Sequence, residues 1–442
     1  MSKLNKKNKV VVGIVVSVFL IGLILLNIHL FTLQSVKQFM EVPIIRLNSE
    51  YTSIVDKQNK YLGHPDMVLT DDNTLFTFYP SGHGKGAIIG KISKDGGESW
   101  QDIEQLPVSW EKSQETPCVY NIHKTDGTSI LVLTSGSPYW SDINLMPDGF
   151  NCAVSLDNGK TWSDFENWYG QEWAEIKNKE NNTDIYAAYD AIVAMSSLTQ
   201  LKDEKGNLID KWMGTFHRGT SEFGMDGGES YVNYKTYLTF DEDNNAVWSE
   251  PERLFDSYRE LEEKYGMCEI EIIRNPKDDC LILFARANNR QSNSVVCYSF
   301  DEGFKWSQPK ELPNCLTGDR HKAEYDAVSG KVIISFRQYL SNNDKFKQSA
   351  LSPQMYLSEG WVAWIGTFED LMSFEDDDKS NDSYGDAVVI LGKNYNKADC
   401  GYSGVVVKED GTIIMDSYGY FSPTTRYPYI MQAKFKIADI IK

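Results

Sequence analysis

A motif of eight residues recurs three times along the chain and constrains the fold more than any other feature. It reads Ser-x-Asp-x-Gly-x-Ser/Thr-Trp at residues 93–100 and 155–162, and the copy at 299–306 has Lys305 in place of the hydroxyl residue. A degraded fourth copy runs from Thr239 to Trp248. The Asp of such a motif can accept hydrogen bonds from turn amides, the Gly supplies a positive φ, and the Trp can fill the space beneath the turn. Three close copies therefore predict repeated β-hairpins.

A longer repeat also predicts a chain built of repeated β-hairpins. Each of its units has an apolar strand, a polar hairpin and a second apolar strand, and the six units begin near His64, Pro117, Asp190, Glu269, His321 and Tyr402. Six units of four strands predict an all-β fold, a six-bladed β-propeller over residues 45–442. The length of 442 residues would by itself suggest about three domains. Repeats of this kind close into one domain instead.

Charge and cysteine usage exclude several classes of function. The chain has 63 Asp and Glu against 44 Lys and Arg, a net charge of −19, so a nucleic-acid partner is not expected. The seven Cys are irregularly spaced, with no C-x-x-C pair, which indicates neither a zinc site nor a dense disulfide framework. We therefore predict no metal and no other cofactor.

The N-terminal residues predict a membrane anchor. Four Lys within residues 1–9 precede a run without charged residues at 10–33. Such a run is long enough to span a bilayer, and the Lys place the N-terminal end in the cytoplasm. We expect a cytoplasmic basic tail (1–9), a transmembrane signal anchor (10–33), a linker (34–44) and an extracellular propeller at the cell membrane. A cleaved signal peptide is the alternative.

Polar residues collect at one end of the predicted propeller channel. The first strand of each blade lines the channel, and its start lies on the same face as the end of the second strand. Strand starts contribute His64, Asp66, Asp190, Glu269, Arg320, His321 and Tyr402, and second-strand ends contribute His83, His217, Arg286 and Arg337. A water-filled channel would explain any single one of them. The mixture of carboxylates, arginines, histidines and a tyrosine predicts a site.

The eight-residue motif resembles the Asp box of sialidase (neuraminidase) propellers, and this resemblance covers nearly all of residues 45–442. The segment from Cys400 to Ser403 is similar to the family's Tyr-Ser nucleophile segment. The resemblance implies that Tyr402 is the nucleophile and Glu269 its base, with Glu271 as an alternative base. It also implies that Arg286 and Arg337 grip a substrate carboxylate through bidentate hydrogen bonds. The implied activity is retaining removal of a terminal sialic acid, or a related sugar, from glycans.

The chain departs from the family's pattern at two places. His64 stands where the first blade of the family opens with an Arg, and the stretch 81–86 lacks the family's loop Asp. His83 could replace that Asp as the acid, because the pKa of an ordinary imidazole lies near neutrality, and Asp66 is a weaker second candidate. The remaining residues are predicted to bind substrate: His64, Asp66, Asp190, His217, Arg320 and His321.

Two other functions remain open. One is a lectin-like module that binds glycans without turnover. The other is a different glycosidase or lyase on the same fold, with His64, His83, His217 and His321 on a divalent metal. Because the chain is acidic, a sialidase also requires Arg286, Arg320, Arg337 and their neighbouring histidines to form a local positive island. An acidic channel mouth would favour a neutral sugar.

Two insertions carry weaker signals. Residues 164–189 contain Trp168, Tyr169 and Trp173, which could stack on a sugar or cover the edge of a blade. The acidic stretch 374–382 is predicted to be a solvated loop, since its consecutive carboxylates lack the alternating spacing of a calcium site.

Overall fold

The structure is a computed structural model. It describes residues 40–83, 86–112, 116–136, 149–169, 192–219, 231–289, 291–338, 340, 358–375, 383–396 and 399–441, together with residues 17 and 20. The predicted tail and residues 34–39 of the predicted linker lie outside these residues, as does the predicted anchor apart from residues 17 and 20. Within the described part of the chain, none of the helices has both the length and the apolar character needed to cross a bilayer. The anchor stays a prediction.

The chain from Glu41 onward forms one compact unit of six sheets. Two N-terminal strands, β1 (Ile44–Arg46) and β2 (Thr52–Asp56), come first. Blade 1 contains β3 (Asp66–Leu69), β4 (Leu75–Pro80), β5 (Ile88–Ser93) and β6 (Gln101–Asp102). Blade 2 contains β7 (Pro117–His123), β8 (Ser129–Gly136), β9 (Phe150–Ser155) and β10 (Glu166–Trp168). Blade 3 contains β11 (Ile192–Lys202), β12 (Leu208–Gly219), β13 (Tyr231–Phe240), β14 (Ala246–Trp248) and β15 (Glu252–Arg253).

The second half of the chain repeats this arrangement. Blade 4 contains β16 (Met267–Arg274), β17 (Leu281–Ala287), β18 (Val295–Ser299) and β19 (Lys310–Glu311). Blade 5 contains β20 (Gly318–Asp326), β21 (Lys331–Gln338), β22 (Gly360–Gly366) and β23 (Ala387–Lys393). Blade 6 contains β24 (Ser403–Val407), β25 (Ile413–Gly419) and β26 (Tyr429–Phe435). The first strands contact one another in a closed ring, in the order β3, β7, β11, β16, β20, β24 and back to β3. The predicted all-β, six-bladed propeller is confirmed.

Helices are short and lie between or beside the blades. In the described part of the chain from Glu41 onward, the α-helices are α1 (Arg259–Tyr265), α2 (Phe368–Met372) and α3 (Ile437–Ile440). The 3₁₀ turns are Ser49–Tyr51, Val108–Lys112, Asp256–Tyr258, Asn314–Leu316 and Ser373–Glu375.

The N-terminal strands close the ring of blades. Strand β2 pairs antiparallel with β26 and supplies the outer strand of blade 6, with Thr52 opposite Ala433. Strand β1 pairs in parallel with β23 at the outer edge of blade 5, with Ile44 opposite Val388. The two ends of the propeller are thereby joined by backbone hydrogen bonds. The sequence repeats did not predict this closure.

The repeated motif forms the turn that its residues predict. In the first copy, Asp95 Oδ1 accepts hydrogen bonds from the Ser99 amide (2.9 Å) and the Ser93 hydroxyl (2.7 Å). The Ser93 oxygen in turn accepts from the Gly97 amide at 2.9 Å, where Gly97 has a φ of 87°. The copies at 155–162 and 299–306 repeat these bonds. In the degraded copy, Asp243 stands at the position of the glycine, and the next residue, Asn244, has the positive φ, at 61°.

The aromatic residues of the 164–189 insertion that the structure describes cover a blade edge. Trp168 and Tyr169 pack against the apolar cluster between blades 2 and 3. The Tyr169 hydroxyl donates to the Ser249 carbonyl at 2.5 Å and lies 2.8 Å from the Thr236 hydroxyl. Of the two roles open for these side chains, the structure therefore favours the covering role. Trp173 lies outside the described residues.

Candidate active site

Each of five blades opens with one residue of positive φ at the start of its first strand. The residues are His64, Met195, Glu269 and Arg320, each at 53°, and Gly401 at 89°. The register of the strand pairs slips at these points in blades 3, 4 and 5, as expected for β-bulges. Such a conformation costs a non-glycine residue about 1 kcal/mol. Because this positive-φ residue recurs in five blades, we interpret it as a regular feature of the propeller. It changes the direction of the side chains that precede and follow it.

Two predicted catalytic residues, Tyr402 and Glu269, lie beside these bulges and meet the predicted substrate-binding residue Arg286. The Tyr402 hydroxyl, from the start of blade 6, donates a hydrogen bond to Glu269 Oε1, from the start of blade 4. Arg286 Nη1, on β17, donates to the same oxygen at 2.7 Å and lies 3.2 Å from Tyr402 Oη. Glu271 is elsewhere, since its carboxylate accepts from the Ala323 amide at 3.0 Å. Glu269 is therefore the carboxylate that contacts Tyr402.

Burial and neighbouring charges keep this tyrosine protonated at rest. Burial, with the added effect of the Glu269 carboxylate, raises the pKa of Tyr402 well above its usual range, although Arg286 and Arg337 oppose the shift. The guanidinium of Arg337 lies 5.4 Å from the centre of the Tyr402 ring. A negative charge that developed on the phenol oxygen would therefore face two cations.

Asp319 links the two arginines. Its Oδ1 lies 3.0 Å from Arg286 Nε, and its Oδ2 accepts from Nε and Nη2 of Arg337 at 2.9 and 2.5 Å. Arg286 also donates to Asn288 Oδ1 at 2.5 Å. Burial is the largest single effect and opposes the charge on both arginines, but Asp319 and the other acidic neighbours together outweigh it and raise the pKa of each guanidinium well above its usual range. Both arginines therefore stay charged.

The cluster formed by these groups is formally neutral. Arg286 and Arg337 face Glu269 and Asp319, two cations against two carboxylates. The positive island expected for a sialidase is not formed by these four residues. Sequence reasoning missed Asp319, although it directly precedes the predicted strand start at Arg320.

A cluster of aromatic side chains surrounds His64 beside Tyr402. The His64 ring centre is 4.8 Å from that of Tyr402, 4.8 Å from that of Tyr418 and 4.9 Å from that of His83. His64 is buried, whereas His83 is exposed. His64 and His83, the two residues at the departures from the family's pattern, are thus neighbours of the predicted nucleophile.

Three further predicted residues are buried away from Tyr402. Arg320 crosses the channel and donates to the Ser196 carbonyl (3.3 Å) and the Cys118 sulfur (3.1 Å). Asp66 Oδ2 accepts from the Val119 amide at 2.9 Å and so ties blade 1 to blade 2. His321 is 0% exposed and lies beside the rings of Phe284 and Phe336. Arg320, Asp66 and His321 were predicted to bind substrate, and the structure places each of these side chains inside the protein, with internal partners.

The last two predicted residues have different outcomes. His217 is buried behind the site, where its Nδ1 accepts a hydrogen bond from the Glu269 amide at 3.4 Å. Asp190 lies outside the described residues. Among the residues described, no group of His, Cys, Asp or Glu has the arrangement of a metal site. All seven Cys are buried and unpaired with one another.

Comparisons with known proteins bear on the fold. No known protein family and no curated protein matches the sequence. A Dyadobacter fermentans protein of unknown function is similar in structure, with a TM-score of 0.55 and 14% identity over 87% of this chain and 97% of that one. A GH93 α-L-arabinofuranosidase of Fusarium graminearum, solved with arabinobiose, has a TM-score of 0.52 and 10% identity over 88% of this chain and 98% of its own. A Hadza microbial sialidase has a TM-score of 0.49 and 14% identity, covering 86% of this chain and 66% of the sialidase. The first two support the propeller fold.

Proposed function

We propose that this protein is a glycoside hydrolase that removes a terminal sugar with retention of configuration. The observation that carries the proposal is the hydrogen bond from the Tyr402 hydroxyl to Glu269 Oε1 at the channel mouth. A nucleophile and a base within hydrogen-bond reach, with the base held by a third group, form the usual arrangement for covalent catalysis. Here the third group is Arg286, which donates to the same carboxylate oxygen.

In the first step, Tyr402 Oη forms a bond to the anomeric carbon while the bond from that carbon to the leaving oxygen breaks. The phenol proton moves to Glu269, and an acid supplies a proton to the leaving oxygen. Arg286 and Arg337 stabilise the charge that develops on the phenol oxygen before the new bond is complete. In the second step, water attacks the same carbon and gives a proton to the group that acted as the acid, the sugar leaves Tyr402, and Glu269 returns its proton to the phenol oxygen.

Sialic acid, or a related acidic sugar, is the first candidate for the terminal residue. Its support is the resemblance of the Tyr402 segment and the presence of two guanidiniums beside the phenol. A neutral phenol also approaches an anomeric carbon that bears a carboxylate with less repulsion than a carboxylate nucleophile would.

A neutral sugar is the second candidate, and one observation favours it. Asp319 already binds both arginines, so a substrate carboxylate would have to compete with it for them. Assays of the full-length chain with fluorogenic sialosides, uronides and neutral glycosides separate the two. Turnover of the sialoside that is lost in Tyr402→Phe supports the first candidate, and turnover of neutral glycosides alone supports the second. Glycan binding without any turnover would overturn the hydrolase.

We propose further that the propeller is extracellular and anchored to the cell membrane by residues 10–33. The support is the basic tail followed by the uncharged run. The full-length chain should remain in the membrane fraction after extraction at high pH, and protease added to intact cells should digest the propeller. Recovery of the full-length chain in the soluble fraction would contradict the anchor.

A further inference from the structure

Four side chains, His83, Tyr61, Asp399 and Tyr418, form a continuous hydrogen-bonded row. The Tyr61 hydroxyl donates to Asp399 Oδ1 at 2.9 Å, and the same oxygen of Tyr61 lies 2.9 Å from His83 Nδ1. The Tyr418 hydroxyl also donates to Asp399 Oδ1, at 3.0 Å. A carboxylate oxygen has two lone pairs and can accept both of these bonds. Asp399 therefore anchors the row.

The row determines which nitrogen of His83 carries a proton. A phenol has one proton, and burial together with Asp399 raises the pKa of Tyr61 far above its usual range, so Tyr61 keeps that proton. Because the proton is donated to Asp399, the Tyr61 oxygen can only accept from His83. Nδ1 of His83 must then be an N–H group. The nitrogen that gains and loses a proton is Nε2.

His83 lies close to the proposed nucleophile, Tyr402, with one ring between them. The His83 ring contacts His64, whose ring in turn contacts Tyr402. Asp399 lies on the same chain segment as Tyr402, three residues before it. A single segment therefore carries the proposed nucleophile and the anchor of the row that ends at His83.

We propose that Tyr61 and Asp399 hold His83 with its proton on Nδ1, so that Nε2 acts as the acid and base of the proposed hydrolysis, on which this inference rests. In the first step Nε2–H of the imidazolium protonates the leaving oxygen as Tyr402 attacks. In the second step neutral Nε2 takes a proton from the attacking water, and the imidazolium is restored. His83 is the catalytic residue, and Tyr61 and Asp399 are positioning residues.

The tautomer can be measured independently of any activity. Long-range ¹H–¹⁵N correlation spectra of the full-length protein with labelled histidine report which ring nitrogen is protonated, and the His83 signals are those that disappear in His83→Gln. We expect neutral His83 to be protonated on Nδ1, and Tyr61→Phe to shift the population toward the Nε2–H form. The exposed His123, which bonds to Asp71, serves as the unchanged reference. A His83 protonated on Nε2 in the wild type, or a tautomer unaffected by Tyr61→Phe, would overturn the row.

Kinetics then test the role of Nε2. For the glycoside that the wild type hydrolyses best, His83→Gln should lower kcat/KM by about 10²-fold or more when the leaving group is a sugar. A 4-nitrophenyl leaving group needs little protonation, so its loss should be much smaller. Because the first step needs the imidazolium, the fall of wild-type kcat/KM at alkaline pH should be lost in His83→Gln. The neighbouring titratable groups Tyr61, His64, Asp399, Tyr402 and Tyr418 are unchanged in this variant.

Failure of this inference differs from failure of the proposed function. Equal losses for both leaving groups, or an unchanged pH profile, would overturn the role of His83 while Tyr402 could still act as nucleophile. If His83 has the expected tautomer but the protein hydrolyses no glycoside, the hydrogen-bonded row stands. The proposed hydrolase function is then wrong, and so is the role of His83 as its acid and base.

Discussion

Asp319 Oδ2 accepts two hydrogen bonds from Arg337, at 2.9 Å from Nε and 2.5 Å from Nη2, in a site where Asp319 is 1% exposed. The N–H groups that Arg337 uses here are the ones with which a guanidinium would otherwise hold the carboxylate of an acidic ligand. The protein thus supplies its own carboxylate at the place where the resemblance to sialidases would put that of the substrate.

Replacing this carboxylate should change the preference of the site for charge. Asp319→Asn keeps a polar side chain beside Arg337 and Arg286 but removes the negative charge that competes with an acidic ligand. The affinity for free sialic acid should therefore rise by about 10-fold, as expected for one charge-assisted hydrogen bond. Affinity for a neutral monosaccharide should stay the same. Isothermal titration calorimetry measures both, with the exposed Asp410→Asn as the control. Unchanged or weaker binding of sialic acid would show that Asp319 does not compete with an acidic ligand.

Loss of Arg286 should affect stability as well as activity. Arg286→Ala leaves Glu269 and Asp319 buried with one guanidinium fewer, and breaking a buried ion pair in this way costs about 3–5 kcal/mol. Turnover of the best glycoside should fall below detection. Urea denaturation measures the free energy of unfolding, and Lys277→Ala, which breaks the exposed pair with Glu369, is the matched control with no measurable change expected. Normal turnover by Arg286→Ala would show that this arginine has no part in the site.

The pH dependence of stability should reveal a buried carboxyl between blades 6 and 1. Burial raises the pKa of Asp416 to about 7, although Thr77 and the Gly404 amide donate to it. Because the folded state binds this proton more tightly than the unfolded state does, the contribution of Asp416 is complete below about pH 4 and is lost as the pH rises to 7. Its size is on the order of 4 kcal/mol.

Asp416→Asn should therefore reduce the fall in unfolding free energy between pH 4 and 7, measured by denaturation at several pH values. Glu271 and Glu324, whose pKa values burial also raises to about 7, should leave a residual slope. Asp410→Asn is the control, because the turn amide of Thr412 helps lower the pKa of Asp410 to about 2, outside the window. An identical slope in Asp416→Asn and the wild type would show that Asp416 does not titrate there.

Most of the fold follows from local sequence. The turn at Asp95 and Gly97 forms with the hydrogen bonds that its residue types allow, and it recurs at the same point of several blades. Strands β1 and β2 were not predictable in this way. Each is short, and each pairs with a strand near the other end of the chain, so the pairing depends on closure of the whole ring.

The site was predictable only in part, and the bulges are the physical reason. The strand starts at Tyr402 and Glu269 and the second-strand end at Arg286 were predicted to share one face of the channel, and their long side chains are in contact in the structure. A slip of one residue in a strand moves a side chain to the other face. The bulge at the start of blade 5 puts Asp319 at the arginines and Arg320 in the channel. The sequence-based expectation placed Arg320 with Arg286 and Arg337 and made no prediction for Asp319.

Hydrolysis of the best glycoside by the wild type and by Tyr402→Phe tests the central claim most directly. The phenylalanine keeps the ring between His64 and Arg337 but removes the proposed nucleophilic oxygen, so kcat/KM should fall by at least about 10³-fold. A slowly released fluorinated analogue of the same sugar should label the wild type on the peptide that contains Tyr402, as seen by mass spectrometry. Wild-type rates in Tyr402→Phe, or a sugar attached to another residue, would contradict the account.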